Sequence, residues 1–349
     1  MNFGDEIMAV KTKKKHKTLK KVLCIILAIL LLLVCAKTIA VCWHSSPKNI
    51  EQYETDNRYI ANGNAPFVSA HRCGGGIMPE ESMMAFENCV TNPDFNVDVF
   101  EFDLHITKDK QLVLLHDDTL DRTTDSLEVF GVEEAKPEDY TYDELRTLNI
   151  GAKFVDEDGN MPYADLHGEA VPDNLKIVKV DDILDYLEQH GHYDYIIEIK
   201  NGDQLGKKGV DILYNVLLER NLLDRVIFGT FNEEVSLYVD AHHPDLKRSA
   251  TINEVLEFYG AAIRNDEHFD VNYIALQIPY NMPYRMIVNL GTARVINYAH
   301  KHNIAVQYWT INKKSELKYL SSIGSDCIMS DYPDELYSII HENDSIIQE

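Results

Sequence analysis

The chain has 349 residues, 45% of them hydrophobic and 26% charged, enough apolar mass for a sizeable globular core. Its 33 Lys and Arg stand against 57 Asp and Glu, a net charge of −24 at pH 7; the first 50 residues carry nine Lys or Arg against Asp5 and Glu6, a net of +7, which leaves −31 on the remainder. Such an acidic body repels nucleic-acid backbones and excludes polyanionic partners, though a few local cations can still hold a small phosphate.

In chain order, the basic run "KTKKKHKTLKK" (11–21) leads into "VLCIILAILLLLVCA" (22–36), and Lys37 interrupts before "TIAVCW" (38–43). With Lys37 reaching the head groups, residues 22–43 are long enough to cross a bilayer. A cleaved signal peptide is the alternative. No clean small-x-small cleavage site follows the run, so an uncleaved, single-pass anchor is preferred. The positive-inside bias then makes residues 1–21 a cytoplasmic tail, 44–65 a linker, and 66–345 an extracytoplasmic domain. Three of the six cysteines (Cys24, Cys35, Cys42) lie in the apolar segment, and Cys73, Cys89 and Cys327 show neither a disulfide framework nor zinc spacing.

Past the linker, apolar β-branched runs alternate with helical patterns. The predicted strands are 67–70, 97–106, 193–199, 225–230, 247–252, 273–278, 304–309 and 326–330. Predicted helices cover 82–91, 181–190, 206–221, 232–241, 253–263, 284–302 and 314–323, with Asp181, Asn232 and Asn253 at capping positions. If "QLVLLHD" (111–117) is a hairpin excursion from the second strand, eight βα units remain, which predicts an α/β fold of the (β/α)8 barrel type. An open doubly wound sheet is the runner-up. Residues 121–180 read as an acidic insertion with little periodicity.

Working residues of such a barrel sit at the C-terminal ends of its strands. There the chain places His71-Arg72, Glu101 and Asp103, Glu198 and Lys200, Trp309 and Asp331. Period-two alternation puts Glu101, Asp103 and His105 on one face of the second strand, and Phe100, Phe102, Leu104 and Ile106 on the other. With Asp109-Lys110 as a two-residue turn, opposed residues sum to 219 and Asp103 faces His116. Clustered carboxylates without Cys suit Ca²⁺ or Mg²⁺. Asp331 reads as an N-cap before Tyr332-Pro333, His300 and His302 as solvated helix residues, and His105 as a residue without a role.

"SAHRCGGGIMPEESMMAFENCV" (69–90), "VFEFDLHITKDKQLVLLHDDTLDRTTD" (99–125), "IIEIK" (196–200), "QYWTIN" (307–312) and "IMSDYP" (328–333) occur in that order. Together they resemble the glycerophosphodiester phosphodiesterases over most of 67–334. The resemblance implies a (β/α)8 barrel with a small hairpin insertion after strand 2, and hydrolysis of glycerophosphodiesters to glycerol phosphate and an alcohol. It implies His71 and His116 as the general acid/base pair, and Glu101, Asp103 and Glu198 as ligands of one divalent cation, Ca or Mg. Arg72 and Lys200 would hold the phosphate, Trp309 would line the alcohol pocket, and Glu80 would support the site. Two positions depart from the pattern. Glu81 stands where Asn is usual, and Cys73 occupies a Gly-rich loop. Phospholipase C- or D-like cleavage of a lipid phosphodiester, and non-catalytic binding of a polyol phosphate, stay open as alternatives. The expected partner is a small or lipid-derived phosphodiester.

Overall fold

The computed structural model describes residues 3–44, 50–280 and 288–341, with first-helix side chains described from 18 to 38. Helix α1 (Phe3–His44) contains the stretch Thr18–Thr38, long and apolar enough to cross a membrane and unburied by the rest of the chain. It is a candidate membrane span or signal sequence.

The sheet consists of β1 (Phe67–Ala70), β2 (Val99–Ile106), β3 (Leu112–Leu114), β4 (Asp194–Ile199), β5 (Val226–Gly229), β6 (Ala275–Pro279), β7 (Ala305–Trp309) and β8 (Cys327–Ser330). Seven strands run parallel in the order β5-β4-β2-β1-β8-β7-β6, and β3 pairs antiparallel with β2. The two ends of this path are drawn together at Arg248 and Ser249, which bridge Phe228 and Ala275. The result is a nearly closed barrel. The strand predicted over 247–252 is therefore reduced to two single bridges. The Arg248 guanidinium binds Asp240 and Glu254, and Thr251 already caps the next helix. No residues remain for a longer ladder.

The helices are α2 (Met83–Thr91), α3 (Ser126–Phe130), α4 (Tyr142–Leu145), α5 (Val180–His190), α6 (Asp203–Glu219), α7 (Glu233–His242), α8 (Ile252–Arg264), α9 (Ala293–Lys301), α10 (Lys314–Ser322) and α11 (Pro333–His341). Asn232 caps α7 as expected. Thr251, rather than Asn253, caps α8 through a reciprocal capping box with Glu254, and Asp181 lies inside the first turn of α5. The helix predicted from 284 begins at Ala293, capped by Thr292; positions 281–287 lie outside the described residues, as do 45–49 and 342–345.

All eight residues of β2 are buried. Phe100, Phe102, Leu104 and Ile106 pack with Phe86 of α2, Leu184 of α5 and Leu213 of α6. The alternate residues turn inward, so the strand has two buried faces and its acids are sealed in the barrel. Beneath the barrel, Tyr59 and Ile60, within the expected linker, pack with Val99, Ile196 and Ile227. His300, read as solvated, is instead buried, with Nε2 2.9 Å from the fully buried Asp326. Residues 121–180 fold over the hairpin, packing Leu145, Leu148 and Ile177 against Val113 and Leu115.

Candidate active site

The hairpin register differs from the expectation by one residue. Leu104 pairs with Leu114, His105 with Val113 and Ile106 with Leu112, so opposed positions sum to 218. The turn holds three residues: Thr107 N–H donates to Gln111, and Lys110 takes a left-handed conformation, φ +66°. A type I′ two-residue turn would need φ > 0 at both Asp109 and Lys110, whereas the longer loop needs it at Lys110 alone and is less strained. Asp103 therefore faces Leu115, whose N–H donates to its carbonyl. His116 lies one residue past the ladder and enters the same cavity as Asp103.

That cavity, of about 400 Å³, opens at the C-terminal ends of the strands. His71, Arg72, Glu101, Asp103, His116, Glu198, Lys200 and Trp309 all line it. Glu80 stands just outside. Eight of the nine residues expected from the sequence thus converge on one cavity, and the ninth bonds to the others.

Each histidine is held at Nδ1 by a carboxylate. His71 Nδ1 lies 2.6 Å from Asp331 Oδ1, and His116 Nδ1 lies 2.6 Å from Asp117 Oδ1. Both rings therefore direct Nε2 away from these acids; that of His71 lies 3.2 Å from Thr310 Oγ1 and 4.0 Å from Glu101 Oε2. Asp331 also accepts from Asn312 Nδ2 at 2.6 Å, so its carboxylate orients a ring rather than capping α11. Burial pulls the His71 pKa down, but the charge of Glu101 and the bond to Asp331 outweigh it and the net shift is upward. For His116 burial dominates, Asp103 and Asp117 opposing it, and the net shift is downward.

An ionic chain links the two histidines' surroundings. Arg122 binds both Asp117 and Glu80, and Glu80 Oε1 accepts from Arg72 Nη1 at 3.2 Å. Arg72 sits in a one-turn helix, His71–Cys73, where Arg72 (φ +46°) and Cys73 (φ +61°) both adopt left-handed backbone. Two such residues in succession are strained. The turn aims the Arg72 N–H at Glu101 Oε2, 2.8 Å away. Cys73 is fully buried.

Glu101, Asp103 and Glu198 form the acidic floor. Burial and mutual repulsion push Glu101 to about 7 and Glu198 to about 8, against the relief given by His71 and Lys200 respectively. Lys200 Nζ lies 3.2 Å from Glu198 Oε1 and 3.4 Å from Asp103 Oδ1. Asp103 Oδ2 is buried without a hydrogen-bond partner. Glu81, the departure from the expected Asn, is buried and accepts the Asp103 N–H at 3.0 Å, adding a fourth acid behind the floor. Three carboxylates, one of them with an orphaned oxygen, suit a hard divalent cation. As the side chains stand, no three His, Cys, Asp or Glu among the described residues gather closely enough to hold one.

Asp331 was expected at a strand end, but as an N-cap, and the sequence assigned no role to Thr310, Asn312 or Arg122, whose contacts reach across the fold.

A barrel with paired histidines, cations and buried acids at its C-terminal mouth defines an enzyme of the phosphoric diester hydrolase class. Residues 71–335 match the glycerophosphoryl diester phosphodiesterase family, and the chain belongs to it. It is 26% identical over 275 residues to a glycerophosphodiester phosphodiesterase of Caldanaerobacter subterraneus, covering 79% of this chain and 98% of that one. Among solved structures, a glycerophosphodiester phosphodiesterase from Agrobacterium tumefaciens is similar with a TM-score of 0.56 at 18% identity, over 78% of this chain and 99% of that one. A phosphodiesterase from Oleispira antarctica, solved with the product sn-glycerol-3-phosphate, gives 0.58 at 20% identity, over 79% and 97%.

Proposed function

We propose that this enzyme hydrolyses glycerophosphodiesters to glycerol phosphate and an alcohol by paired-histidine acid-base catalysis. The observation that carries this reading is that two histidines, each fixed at Nδ1 by its own carboxylate, share a cavity with Arg72, Lys200 and three acids. The product bound by the Oleispira antarctica phosphodiesterase supports the same substrate class.

A phosphodiester is anionic and its alkoxide leaves poorly. Arg72 and Lys200 bind the non-bridging oxygens and offset charge as it builds on them. Nε2 of one histidine takes the proton from the attacking oxygen, of water or a substrate hydroxyl. Nε2 of the other protonates the departing alcohol; each is worth ~10²–10⁴-fold. Asp331 and Asp117 hold the rings in the tautomer that leaves Nε2 free for this. Trp309 walls one ester arm, and Glu80 keeps Arg72 in place.

The family generally uses a divalent metal. Glu101, Asp103 and Glu198 would hold Ca²⁺ or Mg²⁺, which when bound supplies Lewis-acid stabilisation of the phosphate oxygens. We also read the apolar part of α1 as a membrane anchor, with residues 1–21 cytoplasmic and the barrel domain, through 345, on the outer side after the 44–65 linker. The Lys-rich flank before Thr18 supports that orientation.

The test is glycerol phosphate release by the purified full chain from a panel of glycerophosphodiesters, with and without chelator. Release that chelation abolishes is expected; no release from any diester sinks the reading.

A further inference from the structure

Strand β2 is paired along both edges, but on one edge its partner changes. β4 accompanies it from Val99 to Leu104. On the opposite edge β1 departs after Ala70 pairs with Phe100, and β3 joins only where Leu114 pairs with Leu104. Glu101, Phe102 and Asp103 lie in the gap between them. The Asp103 carbonyl accepts from Leu115 N, one residue past β3, at 3.1 Å. Its N–H meets no strand at all. It donates instead to Glu81 Oε1, 3.0 Å away.

Glu81 is a costly residue for that task. It is 1% exposed, its Oε2 is buried without a hydrogen-bond partner, and its backbone is left-handed, φ +59°. Asn, the residue expected at this position, adopts such backbone far more readily. A buried carboxylate with an unused oxygen on strained backbone persists only where its surroundings hold it there. The left-handed turn sends three successive side chains in three directions. Glu80 accepts from Arg72 Nη1 at 3.2 Å, Glu81 turns inward to Asp103, and Ser82 caps α2 by accepting from Ala85 N. The Glu81 N–H also donates to the Arg72 carbonyl at 3.4 Å. Glu81 therefore touches both the turn that carries Arg72 and the strand that carries Asp103.

We propose that Glu81 is a positioning residue that stands in for the missing strand partner of β2 and holds Asp103 in register with the Arg72 turn. The acidic floor is thereby shaped before a cation reaches it. The acceptor oxygen carries this role and the negative charge does not. The proposal rests on the reading of Glu101, Asp103 and Glu198 as cation ligands, and extends it to a residue outside the cavity. Without that oxygen the Asp103 N–H is a buried donor with no partner. It regains one only if the edge of β2 moves, and the Asp103 carboxylate moves with its own backbone. Ligands of a metal tolerate displacements of only about 0.5 Å.

The experiment compares two variants of the full chain in mild detergent that keep the bulk of Glu81 and lack its charge. Glu81→Gln retains the acceptor oxygen; Glu81→Met does not. The readout is calorimetric affinity for Ca²⁺ and Mg²⁺, each added as the chloride at about pH 9, where protons compete least for the carboxylates. Urea denaturation followed by circular dichroism checks that each variant is folded. We expect Glu81→Gln to bind within about threefold of the native chain, and Glu81→Met to bind about 10- to 100-fold more weakly, the range for losing a group that orients a metal ligand. Where Glu81→Met does not fold, Glu81→Asp takes its place with the same expected loss, because its carboxylate is drawn back by one methylene. A folded Glu81→Met with native affinity and only a lower urea midpoint makes the residue structural and overturns the proposal. Glu81→Gln binding as weakly as Glu81→Met assigns the effect to charge and overturns it too. A native chain that binds neither ion overturns the cation reading itself and this one with it.

Discussion

Asp331 Oδ1 lies 2.6 Å from His71 Nδ1, although 260 residues separate the two in the chain. The contact joins the end of β1 to the end of β8, strands that are neighbours in the barrel. Asp331 is fixed in turn by Asn312, whose Oδ1 accepts the Asp331 N–H at 3.0 Å and whose Nδ2 donates to its carboxylate. In Asp331→Asn, kcat should fall on the order of 10²-fold or more, with KM for a soluble glycerophosphodiester within about threefold. The pH profile adds a second readout. The bond and charge of Asp331 raise the His71 pKa, so losing them lowers it, and the limb of the kcat/KM profile belonging to His71 should move to lower pH. A variant with an unmoved profile and near-native kcat would make Asp331 merely structural.

The two histidines themselves give the sharper mutational contrast. If the proposed acid-base pair is right, His71→Ala and His116→Ala should each lose at least ~10²-fold in kcat, because each ring would then transfer a proton through Nε2. Neither ring belongs to the acidic floor, so calorimetric affinity for Ca²⁺ or Mg²⁺ should stay within severalfold of the native chain. Turnover near the native level in either variant would remove that histidine from the acid-base pair.

Much of this site was legible because it is written in local pattern. Alternation in "VFEFDLHI" separates Glu101 and Asp103 from Phe100 and Phe102 whatever the turn does next, and the sheet simply buries both sets. The hairpin register was not legible. It hangs on one left-handed residue, Lys110, and on Thr107 Oγ1 contacting Asp109 Oδ1, details that tilt a turn by a fraction of a kcal/mol. The strand predicted over 247–252 is reduced to isolated bridges for a different reason: Arg248 and Thr251 serve neighbouring helices, a tertiary demand that overrides the apparent strand pattern. Asp331 before Tyr332-Pro333 is locally a good cap, and only the closure of the barrel shows it serving His71. His105 and Arg122 fall in the same class, since their meaning depends on which cavity or acid lies opposite.

Stability should depend strongly on one buried acid away from the cavity. Asp326 is fully buried and accepts from Ala61 N at 2.8 Å, Val306 N at 2.6 Å and His300 Nε2 at 2.9 Å. It ties residues 57–61 and α9 to the bottom of the barrel. Asp326→Ala leaves three buried donors without partners, which should cost about 3–5 kcal/mol. Asp326→Asn keeps acceptor capacity and should cost less. Urea denaturation of the full chain in mild detergent, followed by far-UV circular dichroism, measures both. Equal midpoints for native and Asp326→Ala chains would refute the assignment.

Cation binding to the acidic floor should be pH-dependent in a window set by the floor itself. Without a cation, burial and mutual repulsion hold Glu101 near 7 and Glu198 near 8, so at neutral pH part of the pair carries protons. Ligation needs the ionised carboxylates, so binding must expel those protons. Affinity for Ca²⁺ or Mg²⁺ should therefore rise as pH increases from about 6 to about 8.5 and level off above the higher value. Calorimetry in buffers of different ionisation enthalpy would read the released protons directly, independent of catalysis. Glu198→Gln removes the group with the higher value, so it should weaken binding and shrink the proton release at pH 7.5. The pair titrates as a coupled unit, so the released fraction belongs to both acids together. Affinity flat across this window, with no proton release, would show that the cation is held elsewhere or that the acids are already ionised.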